Sequence, residues 1–299
     1  MISSALYHYP VTRLVETGLE LWSPIQKQWV KNRPEERIRL RLIEYFLHEC
    51  GISRNYIATE VPLELQKATR GRADIVFFDS NHQPHCLIEC KRPKVNLDEQ
   101  VAQQIAQYNH RLDTPYLLIS NGRVDLWYTQ TESGIQYLNH LPDQYSGGIN
   151  FIRDFEYWVA RGFIHPDTPE ELKMPFMALC SELYQDPESP SIYVSFGPTR
   201  EDLPLENYYH ITRIQQHIRL AIGLNGKGKE CTLNAVLSVH GQSVKLLTLN
   251  LLALANGDEK HAKLYTHKGV EEVNIPHLNP LLHKTIWQEP LKEYLLAEV

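Results

Sequence analysis

Hydrophobic and polar positions are most sharply patterned between residues 71 and 91. After Gly71-Arg72-Ala73-Asp74 comes the apolar, β-prone run Ile75-Val76-Phe77-Phe78. The turn-type stretch Asp79 to Pro84 follows, then His85-Cys86-Leu87-Ile88, which closes on Glu89-Cys90-Lys91. Two short β-type runs around turn residues predict a hairpin. Upstream, Glu36, Leu40, Ile43 and Leu47 recur on one helical stripe, with Pro34 and two glutamates at the start and Gly51 after Cys50. That pattern predicts a helix over 34–50. The run 56–66 reads as an edge strand because Pro62 cannot donate to a central ladder. A helix over 97–112, a buried strand over 116–120, an Asn121-Gly122 turn and a returning strand over 124–128 complete the region. The strand at Glu89, the helix and the strand at 116 form a β-α-β crossover with parallel strands.

The flanks carry weaker patterns. Val11 to Trp29 reads as a helix broken at Pro24. Residues 131–149, with Gly134, Pro142, Gly147 and Gly148, read as a linker. Helices are expected over 151–161, 170–184 and 208–222. Strands are expected over 191–196, 230–240 and 243–254. The fold class is therefore α/β: a mixed sheet flanked by helices in residues 1–130, and a second, α+β domain in residues 150–299.

Composition narrows the picture. Net charge is −6, which argues against a general basic coat for nucleic acid. The charge is uneven: residues 1–130 hold 16 Lys and Arg against 15 Asp and Glu, and residues 131–299 hold 14 against 21. Basic clusters at Lys27 to Arg41, at Lys67, Arg70 and Arg72, and at Lys91, Arg92 and Lys94 suggest a local phosphate-binding face. The five cysteines lack metal-type spacing, so reduced thiols are expected. The first ten residues lack a leader pattern and the longest apolar run is about half a membrane span, so a cytoplasmic chain with no membrane partner is expected.

Strand side chains alternate faces, so Glu89 and Lys91 point one way and Cys90 the other. A hairpin brings Asp74 beside them at one sheet end. Two carboxylates converging on one point repel unless a cation lies between them, and Mg2+ takes one or two carboxylates with waters. Lys91 would then lie where it can orient or deprotonate a nucleophile. Glu36, at the end of an apolar helix stripe, leans toward the same place or serves as a dipole partner.

Pro34-Glu35-Glu36 opening a helix, Gly71-Arg-Ala-Asp74-Ile-Val, Leu87-Ile-Glu89-Cys90-Lys91-Arg92-Pro93, Gln104-Ile-Ala-Gln-Tyr108 and Ser120-Asn121-Gly122 together resemble the PD-(D/E)xK nuclease fold. More narrowly, residues 30–128 resemble the N-terminal nuclease domain of type I restriction enzyme R subunits. The resemblance implies catalytic roles for Glu36, Asp74, Glu89 and Lys91. It implies Mg2+, or Mn2+, on Asp74, Glu89 and the Cys90 carbonyl, and DNA contacts from Gln104, Tyr108, Arg72 and Arg92. It implies DNA as partner and restriction-system subunits acting in trans. Two departures stand out. Ala73 replaces the usual proline, and no helicase motor is read in residues 131–299. Gly223 to Glu230 imitates a phosphate loop, but Glu230 stands where a Ser or Thr hydroxyl should hold Mg2+, so no ATP site is expected. The function expected is a Mg2+-dependent DNA endonuclease. The alternatives are a catalytically silent nucleic-acid-binding module on the same fold, and an unrelated α/β protein with fortuitous spacing. A homodimer is expected from the long apolar runs of the second half.

Overall fold

The computed structural model describes residues 1–65, 69–98, 103, 106, 109, 112–186, 189–196, 205–228, 230–258, 261–275, 278–281 and 287–297. The chain divides into two compact units, Met1–Ile152 and Arg153–Val299. Among the described residues no helix is long and apolar enough to cross a membrane. All five cysteines are free thiols.

The first unit opens with a small antiparallel sheet of β1 (Thr12–Val15), β2 (Gly18–Ser23) and β3 (Gln28–Lys31), not with the helix expected over 11–29. Three features decide for strands. Gly18, at φ 117°, closes the tight β1–β2 turn, Pro24 falls in the β2–β3 connection, and Trp22 meets Trp29 across the ladder at 5.4 Å. Cross-strand aromatic pairs of this kind stabilise a short sheet that propensity alone leaves undecided.

Helix α1 (Pro34–His48) follows as predicted. Pro34 costs nothing at a position whose N–H has no helical partner, and Glu35 and Glu36 face the positive end of the dipole. Its apolar face packs on a six-stranded sheet ordered β4-β5-β6-β7-β8-β9, formed by Ile57–Leu65, Thr69–Phe78, Pro84–Cys90, Tyr116–Ser120, Asp125–Thr131 and Gly134–Leu138. Every neighbouring pair is antiparallel except β6 and β7, which run parallel. The edge strand carrying Pro62, the hairpin and the crossover are thus as expected. Phe46 of α1, fully buried, meets Phe77, Trp127 and Tyr145 edge-on. Burying a ring of this size stabilises by about 3 kcal/mol. The opposite sheet face holds Ala73, Val76, Leu87, Leu117 and Ile119, with Leu112 against it. Gln103, Ala106, Asn109 and Leu112 are helical, in keeping with a helix between β6 and β7.

The expected linker over 131–149 is corrected. It carries β9, which completes the sheet, and a 3-10 turn that buries Tyr145 in the core. Its glycines and proline mark turns inside the unit, and the division falls after Ile152.

The second unit is an antiparallel meander in strict chain order: β10 (Ile192–Ser195), β11 (Glu206–Gln215), β12 (Ile218–Asn225), β13 (Thr232–Val239), β14 (Gln242–Asn250), β15 (Ala262–Thr266) and β16 (Gly269–Val273). Helices α2 (Phe155–Ala160), α3 (Glu170–Tyr184), α4 (Leu251–Ala255) and α5 (Gln288–Leu296) accompany it. The helix expected over 208–222 is instead the β11–β12 hairpin, turning at Gln216-His217. Its apolar positions fit a helical period by chance, but β-branched Ile211, Thr212, Ile214, Ile218 and Ile222 favour a pleated surface. The apolar runs over 230–240 and 243–254 are the central strands β13 and β14, except that the second run is not strand to its end: Leu251–Leu254 belong to α4, which Asn250 caps. Their apolarity therefore has an internal cause. Two glycines of the phosphate-loop-like stretch, Gly223 and Gly226, have one too. A Cβ on Gly223 would lie 2.8 Å from the Tyr208 carbonyl oxygen, and one on Gly226 2.3 Å from the Ile164 carbonyl carbon.

Candidate functional site

The β5–β6 hairpin and the start of α1 meet at a cleft of about 750 Å³ in the first unit. It is lined by Glu36, Arg72, Asp74, Glu89, Cys90, Lys91 and Arg92, so seven residues expected at the site are brought together. Gln104 and Tyr108 lie outside the described residues.

The hairpin sets the geometry. Ile75 pairs with Ile88, which leaves Asp74 and Glu89 at the next register step. The Cys90 N–H donates to Asp74 Oδ2 at 2.7 Å. Lys91 Nζ donates to Glu89 Oε1 at 2.8 Å, as the alternation of strand faces requires. The Cys90 side chain turns into the core on the α1 side. Lys91 extends the ladder, its N–H donating to the Ser120 carbonyl at 2.8 Å. The second oxygens differ: Asp74 Oδ1 faces the Arg39 guanidinium at 3.8 Å, and Glu89 Oε2 is buried with no hydrogen-bond partner among the described residues.

Burial pushes the Glu89 carboxyl up to about 7, and the neighbouring Asp74 charge adds to the rise while Lys91 opposes it. Burial also raises Asp74, against the Cys90 N–H and the arginines and lysine around it. The folded chain thus holds the Glu89 proton at pH values where the unfolded chain has lost it. Folded stability in EDTA should fall as pH rises from about 4.5 to about 7 and then level off. Thermal melts across this range check it, and Glu89→Gln should flatten the profile. A wild-type profile that rises over the same range would contradict the assignment.

Among the cleft residues not expected at the site are Arg39 and Glu60. Arg39, whose side chain is 8% exposed, bonds Glu36 and Glu60 and approaches Asp74. Glu60 also bonds Arg72. Glu36 thus turns to Arg39, three residues along its own helix, rather than directly to the other carboxylates. Glu60 could have been found from the connection between β4 and β5. Thr59 pairs with Ile75 and Val61 with Ala73, so Glu60 lies opposite Asp74 across the strand pair. Arg39 has no comparable signal, since it sits beside the apolar stripe as any solvated arginine would. Arg92 bonds Glu35 at 2.5 Å on the rim.

Glu60 holds φ 60° within a strand, a left-handed conformation unusual for a residue with a side chain. Such strain costs about 1–3 kcal/mol and persists where surrounding contacts over-determine it. In an ordinary strand glycine is less stable than alanine by about 0.5–1 kcal/mol. At position 60 the order should invert, Glu60→Gly exceeding Glu60→Ala in stability. Urea midpoints of the two variants decide this, and the ordinary order would show that φ is relaxed in solution.

Among the described residues no three His, Cys, Asp or Glu side chains form a ready metal set. Two adjacent carboxylates and a backbone carbonyl suit a hard cation that keeps most of its waters. The buried, unpartnered Glu89 Oε2 fits such an ion.

Residues 34–142 match the family model described as type I restriction enzyme R protein N terminus. The match covers just over a third of the chain and lies wholly within the first unit. No curated protein and no solved structure matches the chain.

Proposed function

Taking residues 34–142 as a domain of the type I restriction R-protein kind, we propose that the chain is a cytoplasmic, Mg2+-dependent DNA endonuclease. The observation that carries this reading is a pair of adjacent carboxylates on a cleft beside Lys91: half-buried Asp74, and buried Glu89, whose Oε2 has no hydrogen-bond partner among the described residues. Asp74, Glu89 and the Cys90 carbonyl would hold the ion. When bound, Mg2+ or Mn2+ supplies Lewis-acid polarisation of a phosphoryl oxygen and a more acidic water. Lys91, tied to Glu89, orients the attacking water and carries positive charge beside the phosphate. Glu60 holds Arg39 and Arg72 along the same wall, where guanidinium forks suit phosphate oxygens. Arg92 extends that wall. Glu36 supports the site through Arg39, and Gln104 and Tyr108 contribute near the DNA. Restriction-system subunits in trans, or a second copy of the chain, would supply the second site a duplex break needs.

Supercoiled and single-stranded DNA incubated with the full chain in Mg2+, Mn2+ or EDTA tests the proposal. Nicked or linear product in either metal, absent in EDTA, is expected. Intact DNA in both metals would defeat it.

A second reading has one observation in its favour. The Arg39 guanidinium already pairs with Glu36 and Glu60 and lies near Asp74, as a nucleic-acid-binding module without catalysis would allow. The readings separate on the same gel: such a module retards DNA and leaves it uncut.

A further inference from the structure

The cleft has a wall that the family match does not include. Gln26, Gln28, Val30, Lys31 and Arg33 line it together with the carboxylates, and all precede residue 34. They belong to the β2–β3 hairpin and the segment leading into α1. Residues 24–33, Pro-Ile-Gln-Lys-Gln-Trp-Val-Lys-Asn-Arg, contain three cations and no acid, in a chain of net charge −6.

Lys31 and Arg33 line the cleft and Lys27 sits in the β2–β3 connection; pairing separates all three from the other cations of the cleft. Arg39, Arg72, Lys91 and Arg92 are each bonded to a carboxylate. Lys27, Lys31 and Arg33 are exposed, and among the described residues none of them forms an ion pair. The hairpin's other face is already occupied. Trp22 packs on Trp29, and the Arg13 guanidinium lies 4.4 Å over the Trp29 ring. Strand alternation puts Gln28 and Val30 on the opposite side from Trp29. Gln28 Nε2 donates to Gln26 Oε1 at 3.1 Å, which sets two amides side by side.

We propose that this hairpin is the duplex-reading element of the enzyme, with Lys27, Lys31 and Arg33 on backbone phosphates and Gln26 and Gln28 on base edges. A two-stranded ribbon fits the major groove of duplex DNA, and a side-chain amide matches the adenine donor–acceptor pair there. Cations without internal partners release counterions on binding, whereas the paired ones must first leave a carboxylate. This inference rests on the endonuclease reading and adds its substrate form: double-stranded DNA, gripped beside the cut.

The test compares the full-length wild type, Lys27→Ala/Lys31→Ala/Arg33→Ala, Gln26→Ala/Gln28→Ala and Lys91→Ala. Binding of fluorescein-labelled duplex is measured by anisotropy in EDTA from about 50 to 200 mM salt, and cleavage sites are mapped in Mg2+. The triple variant should bind at least about tenfold more weakly, its salt slope shallower by about two to three. The glutamine variant should keep that slope and redistribute cleavage sites by about fivefold or more in relative preference. Unchanged affinity, slope and site pattern in both hairpin variants would overturn the inference, even where Mg2+-dependent cutting lost in Lys91→Ala upholds the endonuclease reading. A wild type that binds duplex but never cuts fails that reading alone, and the triple variant's slope still decides the hairpin. A wild type that neither binds nor cuts overturns both.

Discussion

Asp74→Ala, Glu89→Ala and Lys91→Ala should each reduce the proposed cleavage of supercoiled DNA by at least about 10³-fold while the chain stays folded. The size follows from the roles proposed. A positioned proton-transfer group contributes about 10²–10⁴-fold, and loss of a carboxylate removes half of the charge available to hold the ion. Retention of the fold follows from the location. Asp74 and Glu89 sit at the open end of a hairpin whose core residues, Ile75, Phe77, Cys86 and Ile88, are untouched. Glu89→Gln is the sharper variant, because it keeps the side-chain volume and the Lys91 contact but cannot carry the charge. It should be inactive and, in EDTA near neutral pH, at least as stable as wild type, since it removes a carboxyl that burial already disfavours as an anion. Cleavage rates by gel with melts alongside measure both. Cutting that survives all three alanine variants would remove the assignment of these residues.

Arg39→Ala destabilises the first unit by about 3 kcal/mol or more at neutral pH. Its guanidinium is 8% exposed and faces Glu36, Glu60 and Asp74, so its loss leaves carboxylates partly buried without a counter-charge. Breaking a buried pair from one side costs about 3–5 kcal/mol for this reason. The pH dependence separates this from lost packing. As pH falls and Asp74, which burial already raises, takes up its proton, the deficit against wild type should shrink. Urea midpoints at about pH 7 and about pH 4.5 give the two values. A deficit below about 0.5 kcal/mol, or one that does not change with pH, would show that the cluster is screened by water.

Much of the first unit was legible because its signals are local. A proline, two glutamates and an apolar stripe define α1, and β-type runs around Asp79 to Pro84 define the hairpin. The site followed because Asp74, Glu89 and Lys91 belong to that one hairpin. What was missed depends on pairing at a distance. The Val11–Trp29 pattern suits a helix until Trp22 is known to face Trp29. The Tyr208–Ile222 pattern suits one until both strands find neighbours in a seven-stranded meander. Glu60 and Arg39 meet only when β4 registers on β5 and α1 docks on the sheet. The hairpin wall lay in a stretch whose basic residues were visible but whose strand character was not.

The parallel pairing of β6 with β7 bears on the order in which the molecule becomes competent. The described lining of the cleft falls entirely between Gln26 and Arg92, so every one of those groups leaves the ribosome before β7 exists. Until Tyr116–Ser120 arrives, β6 is an edge strand and the Lys91 N–H lacks the Ser120 carbonyl that anchors it. A contact of this sequence separation closes late, after the entropy of a long loop has been overcome. The nascent chain therefore holds the acids, the lysine and the arginines before it holds the strand that fixes their spacing. On the endonuclease reading proposed above, cutting competence would begin only once β7 has paired with β6.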